Sequence, residues 1–296
     1  MLGVVNLDKP VGPTSHDMVN MLRRLTGTRR IGHAGTLDPL ASGVLPILVG
    51  AATRFSAELT GGLKRYDAII RLGARSATDD AEGPIVSVSG PLPDETSVRM
   101  ALSAFIGTFD QLPPAFSARK LGGRTAHRAA RAGDPIDVPA RAVTVHALNL
   151  LTYMQDTEGV DVRVDLRCGA GTYVRALARD LGERLGCGGY LSGLRRTEAA
   201  GLTVDTAVTP QRLEALAADG LLRNAILPVG DLLHLPRITL HGDAADAFRN
   251  GSARSLASSQ RDGRAAVFEG GELLGIGSVT ANLLQPEKVL PREVSG

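Results

Sequence analysis

Gly32-His33-Ala34-Gly35-Thr36-Leu37-Asp38-Pro39-Leu40-Ala41-Ser42-Gly43 is the stretch on which the reading of this chain turns. Three glycines, a proline, one histidine and one carboxylate fall within these twelve residues. Neither a helical nor a strand period runs through them, so the sequence predicts a loop. Glycine lets main chain approach a ligand closely, and Pro39 biases Asp38 towards an extended conformation. Asp38 therefore stands on a stiffened loop, which suits covalent or acid–base chemistry. The competing reading is a tight turn whose aspartate caps its own backbone.

Outward from that loop, the bulk properties exclude several classes. The 296 residues are 43% hydrophobic and 22% charged, ordinary for a folded chain long enough for one large and one small domain. No apolar run is long enough to span a bilayer, and the first residues carry no signal-peptide pattern, so the expected location is the cytoplasm. Cys168 and Cys187 are too few for a disulfide framework or a zinc site, and no metal is expected. The net charge of +2 hides local blocks: Arg23, Arg24, Arg29 and Arg30 precede the loop, and Arg119, Lys120, Arg124, Arg128 and Arg131 follow later. Such blocks form solvated faces or contact phosphates. Aromatic residues make up 3% of the chain, so each tyrosine at a motif carries weight.

In chain order, Leu2–Leu7 predicts a buried strand, and Asp8-Lys9-Pro10-Val11-Gly12-Pro13-Thr14-Ser15 a loop whose Thr14 or Ser15 caps a helix ending at Gly27. Val44–Val49 predicts another buried strand. Lys64-Arg65-Tyr66-Asp67-Ala68-Ile69-Ile70-Arg71-Leu72-Gly73 predicts a strand whose Tyr66 is either half-buried packing or a binding face. Thr78-Asp79-Asp80-Ala81-Glu82-Gly83 is a turn, and Pro93-Asp94-Glu95 caps a helix expected to end at Gly107. Pro113-Pro114 makes 111–120 a loop. Residues 160–168 alternate apolar and charged, the clearest half-buried antiparallel strand in the chain. They deliver the chain to Gly169-Ala170-Gly171-Thr172-Tyr173-Val174-Arg175 and a helix on which Arg175 and Arg179 share one face. An arginine in the first turn suits an anion, or it forms a surface ion pair of little worth.

Several of these segments together resemble the bacterial tRNA pseudouridine synthase B family. The motif Gly-His-Ala-Gly-Thr-Leu-Asp-Pro-Leu-Ala-Ser-Gly at 32–43 is joined by Asp-Lys-Pro-x-Gly-x-Thr-Ser at 8–15 and Lys-x-Tyr-x-Ala at 64–68. Thr-x-Asp-x-x-Gly follows at 78–83 and Gln-x-Pro-Pro-x-x-Ser-Ala-x-Lys at 111–120. Gly-Thr-Tyr-x-Arg-x-Leu-x-x-Asp-Leu-Gly at 171–182 and Leu-Arg-Arg at 194–196 complete the series, all within residues 1–200. Three positions depart from the pattern: Arg54 replaces lysine in Gly-x-Ala-Thr-Lys, Thr125 an expected arginine, and His127 an expected tyrosine.

The resemblance implies isomerisation of uridine-55 in the tRNA T loop to pseudouridine, with no cofactor. It implies Asp38, Tyr66 and Arg175 as catalytic residues, Arg175 pairing with Asp38. His33, Tyr66, Tyr173, Leu194, Arg54, Asp80 and Lys120 are the implied substrate contacts. His33 would fill the space vacated by the flipped base, while Tyr66 and Tyr173 offer flat faces and Leu194 an apolar wall. The expected fold is α/β: a mixed, mainly antiparallel sheet of pseudouridine-synthase type, flanked by helices, over residues 1–230. Residues 231–296 are expected to form a small β-rich, barrel-like RNA-binding module with a helix near 243–250. The partner is the tRNA T stem-loop, met by a monomer. Two other readings stand beside this one. One is a non-catalytic RNA-binding or tRNA-folding protein on the same scaffold, against which Asp38, Tyr66 and Arg175 argue. The other is a guide-RNA-dependent synthase, whose long lysine-rich tail has no counterpart here.

Overall fold

The computed structural model describes residues 1–116, 138–256 and 260–291, with the backbone of 120–121 and 124–125. The first strand, β1 (Gly3–Lys9), leads through the Asp8–Ser15 loop to α1 (Ser15–Thr26). Thr14 accepts a bond from the Asp17 amide while the Asp17 carboxylate accepts from the Thr14 amide, and Gly27 ends the helix at φ 68°. Two strands flank the loop that opened the sequence reading, β2 (Ile31–His33) and β3 (Ala41–Val49), so only 34–40 is irregular. β2 is three residues long, too short for a period to register. Helix α2 (Ser56–Thr60) precedes β4 (Lys64–Leu72), and a small hairpin joins β5 (Ala74–Ser76) to β6 (Ile85–Ser87).

Helix α3 (Glu95–Ser103) starts at Asp94 as expected but stops before Gly107. The amides of Phe105 and Ile106 bond three residues back, to Leu102 and Ser103, so the last turn tightens and Gly107 instead opens β7 (Gly107–Gln111). A two-rung ladder joins β8 (Lys120–Leu121) to β9 (Arg124–Thr125). Then follow β10 (Arg141–Gln155), β11 (Val160–Cys168), α4 (Val174–Arg184), β12 (Gly189–Ala199) and β13 (Leu202–Thr203). After α5 (Pro210–Ala218), Gly220 at φ 72° breaks the chain, and 222–225 forms only a short 3-10 turn.

The main sheet has nine strands in the order β1-β3-β12-β4-β11-β10-β7, with β2 beside β3 and β13 beside β12. All pairings are antiparallel except β12 with β3, where Leu194, Arg195 and Arg196 lie opposite Ala41, Ser42 and Gly43. That parallel contact sets the Leu-Arg-Arg segment beside the Asp38 loop. Val5, Leu7, Leu45, Ile47 and Val49 face a core shared with α1, α3, α4 and α5, while Val4, Val44 and Leu48 face a second core. Both faces of β3 are therefore buried, and its sequence is a continuous apolar run instead of an alternation. On β4 and β11 one face is buried and the other carries cross-strand ion pairs, Arg65 with Asp165 and Asp67 with Arg163.

The second core is roofed by the C-terminal residues. A five-stranded sheet curls into a half-barrel in the order β14 (Arg237–Thr239), β16 (Gly263–Glu269), β17 (Glu272–Thr280), β18 (Leu283–Val289) and β15 (Arg254–Ser255), with α6 (Asp243–Arg249) against it. Leu233, Ala266, Phe268, Ile276 and Leu290 pack there against Val4, Val44, Leu48 and Phe55. Glu58 on α2 binds Lys288 and Arg264, each at 2.7–2.8 Å. No helix among the described residues is long and apolar enough to cross a membrane.

Candidate active site

The 34–40 loop is fastened from three sides. Ser15, the first residue of α1, donates to the Leu37 carbonyl and accepts from the Leu37 amide, both at 2.8 Å and both buried. The Gly12 amide bonds the Pro39 carbonyl at 2.9 Å. From β12, Arg196 reaches across to the carbonyls of Val44 (2.7 Å), Gly35 (3.0 Å) and Thr36 (3.4 Å). Arg196 is 1% exposed, so an arginine that reads as a surface charge is an internal brace. The Asp8–Ser15 motif thus does more than cap a helix: it holds two residues that flank Asp38.

Asp38 is half-buried, and its carboxylate meets α4. Arg175 Nε lies 3.0 Å from Asp38 Oδ2. The rest of the guanidinium is fully engaged: Nη1 donates to the Thr78 carbonyl at 3.0 Å and lies 3.4 Å from Asp80 Oδ2, and Nη2 donates to the Phe116 carbonyl at 3.0 Å. Arg175 is 7% exposed and Asp80 2%. A surface ion pair is excluded, and the planar fork has one orientation available to it. Thr78 Oγ1 donates to Asp80 Oδ1 at 2.5 Å and the Glu82 amide donates to the same oxygen, so Asp80 is itself fixed. Arg179, one turn on, binds Asp79 at 3.1 Å and the Leu112 carbonyl at 2.9 Å. The two arginines stitch the 78–80 turn and the 112–116 loop to α4.

Around the Asp38–Arg175 pair opens a cleft of about 280 Å³, walled by Tyr66, Tyr173, Leu194, Lys64, Arg141 and Arg196. Tyr66, on the buried face of β4, is 6% exposed, and burial raises its pKa, so the phenol stays neutral. Tyr173 stands at the start of α4, where no side chain caps the helix. Instead the Gln111 amide accepts from the Tyr173 amide at 2.9 Å and donates to its carbonyl at 3.1 Å. Arg141 lies 5.5 Å from the Tyr173 ring centroid and donates to the Gly171 carbonyl. Gln111, at 1% exposure, was visible in the sequence only as part of a loop motif.

Five expected residues, Asp38, Tyr66, Tyr173, Arg175 and Leu194, share this cleft, and Asp80 lies behind it as a partner of Arg175. Two stand apart. His33 ends β2 against Ile47 and is not among the described residues that line the cleft; burial, then Arg196, lowers its pKa, and its Nδ1 is buried without a partner among the described residues. Arg54 is exposed and donates to the Val289 carbonyl of β18, because its 3-10 turn faces the C-terminal sheet. Lys120 pairs through its backbone with Thr125, and both their side chains lie outside the described residues, as do those of Arg124 and the whole of Arg119, His127, Arg128 and Arg131.

Comparison with known proteins matches residues 23–174 to the TruB family pseudouridylate synthase N-terminal domain and 175–234 to the tRNA pseudouridylate synthase B C-terminal domain. The chain belongs to the TruB family. Among its relatives is tRNA pseudouridine synthase B of Ralstonia nicotianae, 40% identical across 97% of this chain and 94% of that one. The Synechococcus sp. WH7803 protein of the same name is 44% identical across 93% of each. Among solved structures, an H/ACA RNP bound to a substrate RNA containing 2′-deoxyuridine contains a chain aligned over 98% of this one and 86% of its own, at TM-score 0.72 and 27% identity. An archaeal box H/ACA sRNP Nop10–Cbf5 complex matches equally, at 28% identity. This TruB chain is therefore a pseudouridine synthase, an isomerase with the mixed, mainly antiparallel fold.

Proposed function

We propose that this chain isomerises uridine-55 in the T loop of tRNA to pseudouridine, acting as a cytoplasmic monomer without a cofactor. The observation that carries the reading is a carboxylate, Asp38, held 3.0 Å from an arginine with no freedom to leave it, inside a cleft with two tyrosines and a leucine for walls. The reaction breaks the bond from C1′ to N1 of uracil and makes one from C1′ to C5. The C5 proton passes to solvent and N1 ends protonated, so atoms and charge balance with nothing added.

A stacked uridine is out of reach of such a cleft, so the base must turn out of its stack. Tyr173 and Tyr66 offer faces against which a detached uracil is retained, and unstacking, which costs a few kcal/mol, is offset by those contacts and by phosphate contacts elsewhere. Asp38 supplies the negative oxygen that acts on the nucleoside, as nucleophile or base, and Arg175 aims it. Asp80 and Thr78 hold Arg175, and Gln111 holds Tyr173. Recognition by shape and splayed bases fits a loop substrate and needs few base-edge contacts.

The names of the relatives support tRNA as the substrate. The test is conversion of an unmodified tRNA transcript by the purified chain alone, followed by mapping. A single pseudouridine at position 55 without any guide RNA is the expected result. Modification at another position, or a requirement for a guide, would overturn it.

A further inference from the structure

The cleft is charged one-sidedly. Among the described residues, Lys64, Arg141, Arg175 and Arg196 line it against one carboxylate, Asp38. Arg175 is matched by Asp38 and Asp80, but among the described residues the other three meet only neutral partners: main-chain carbonyls, with the Tyr66 hydroxyl for Arg196 and the Tyr173 ring for Arg141. Lys64 Nζ donates to Thr60 at 2.8 Å and Gly62 at 3.0 Å, Arg196 to Val44, Gly35 and Thr36, and Arg141 to Gly171. Carbonyls satisfy N–H groups without cancelling charge. Lys64 is 8% exposed and Arg196 1%, and a buried cation pair without an acid is expensive. The two converge at Gly35: a methyl group there would lie 3.7 Å from Lys64 Cε and 3.5 Å from Arg196 Nη1. Gly35, at φ 101°, leaves that space open. Lys64 spends two of its three N–H donors on carbonyls. Arg141 adds an Nε that is buried with no hydrogen-bond partner among the described residues. Burial and then Arg196 bring the Lys64 pKa down to about 8, which leaves it mostly charged at neutral pH.

We infer that Lys64 and Arg196, flanked by Arg141, form an anion site that takes a backbone phosphate adjoining the flipped uridine. The inference rests on the cleft being the uridine pocket. A uracil presents neutral carbonyls, which need donors but not uncompensated charge. A nucleotide that enters the cleft brings a phosphodiester on each side, and either supplies the missing negative charge. Binding would then relieve a strain already built into the empty cleft, so the substrate backbone is selected together with its base.

The test uses T stem-loop RNAs in which the phosphate on one side or the other of the target uridine is replaced by a neutral methylphosphonate. Dissociation constants and single-turnover rates are measured for the wild-type chain, Lys64→Met and Lys64→Arg. One of the two neutral linkages should weaken wild-type binding by about tenfold, a loss of roughly 1.4 kcal/mol. Lys64→Met should lose a similar factor on native RNA and be indifferent to that linkage, while Lys64→Arg should remain sensitive. Wild-type indifference to both linkages overturns the site, and this arm needs no variant to fold. A full further loss when Lys64→Met meets the neutral linkage also overturns it, as does a slowed rate with unchanged affinity, which would place the cation against the base. Failure of the wild type to convert the unmodified stem-loop would instead count against the uridine reading, since the linkage effect is read from binding alone.

Discussion

At the scale of single residues, Asp38 and Arg175 form a unit whose two members fail differently. Asp38→Asn keeps the shape of the loop and removes the charged oxygen, so isomerisation should fall to background in a tritium-release assay while RNA affinity stays within a few-fold. Turnover near the wild-type rate would remove Asp38 from the chemistry. Arg175→Lys keeps a charge but cannot span Asp38, Asp80 and two carbonyls with one ammonium group. Its single-turnover rate should drop about tenfold or more, a barrier increase of roughly 1.4 kcal/mol, with little change in affinity. A rate equal to wild type would mean the fork is not needed for aim. Asp38 stood out from its glycine- and proline-rich loop. Tyr66, Tyr173, Arg175 and Leu194 were legible through the resemblance of their motifs to the family, since on spacing alone Tyr66 reads equally as half-buried packing and Arg175 as a surface ion pair. Lys64 and Arg196 belong to two of the same motifs, Lys-x-Tyr-x-Ala and Leu-Arg-Arg, yet carried no role in the sequence reading. Each reads as an ordinary solvated charge, since only the packing of β4 and β12 over the Asp38 loop buries them.

At the scale of elements, the loop that carries Asp38 owes its shape to α1 and β12. Ser15→Ala removes one buried donor and one buried acceptor at Leu37, leaving both of its main-chain groups unpaired. We expect a loss of about 2 kcal/mol in urea denaturation and a slower single-turnover rate, because the loop beside Asp38 loosens. A variant with unchanged stability and rate would show the loop to be held from β12 alone. The sequence reading placed β1, β3, β4, β11, α1 and α4 within a few residues, since each has a periodic or fully apolar pattern and a cap or glycine at its end. It missed β18, where Pro286, Glu287 and Lys288 interrupt the pattern. That strand is specified instead by its neighbours: β17 pairs along it, and Lys288 is drawn to Glu58 across the interface.

At the scale of the whole molecule, the half-barrel is structurally part of the core. Deleting 231–296 would uncover Val4, Val44, Leu48 and Phe55, each worth about 1.5–3 kcal/mol when buried. Together these rival the 5–15 kcal/mol margin of a typical domain, so the shortened chain should lose cooperative melting by calorimetry. A sharp transition near the full-length temperature would make the module a mere appendage. Buried charge should also show in the response to pH. Lys9 and Lys64 both have pKa values of about 8, against 10.5 when exposed, with burial the main cause. Above pH 8 the folded chain sheds these protons while the unfolded chain keeps them, so their contribution to stability rises with pH. Cys168, raised to about 11 by burial, acts in the opposite direction once free thiols begin to ionise near pH 9. Between pH 8 and 9, the wild-type urea midpoint should therefore gain on that of Lys64→Met, and a constant gap would argue that Lys64 titrates normally. The Arg196 brace also bears on how the chain is made. Residues 35 and 36 leave the ribosome long before their anchor at 196, and β1 must wait for Val208 and Leu227 to cover its outer edge. A nascent chain shorter than that holds Asp38 but not the arginine that braces its loop, so the catalytic seat is completed only once residue 196 has been made, late in synthesis.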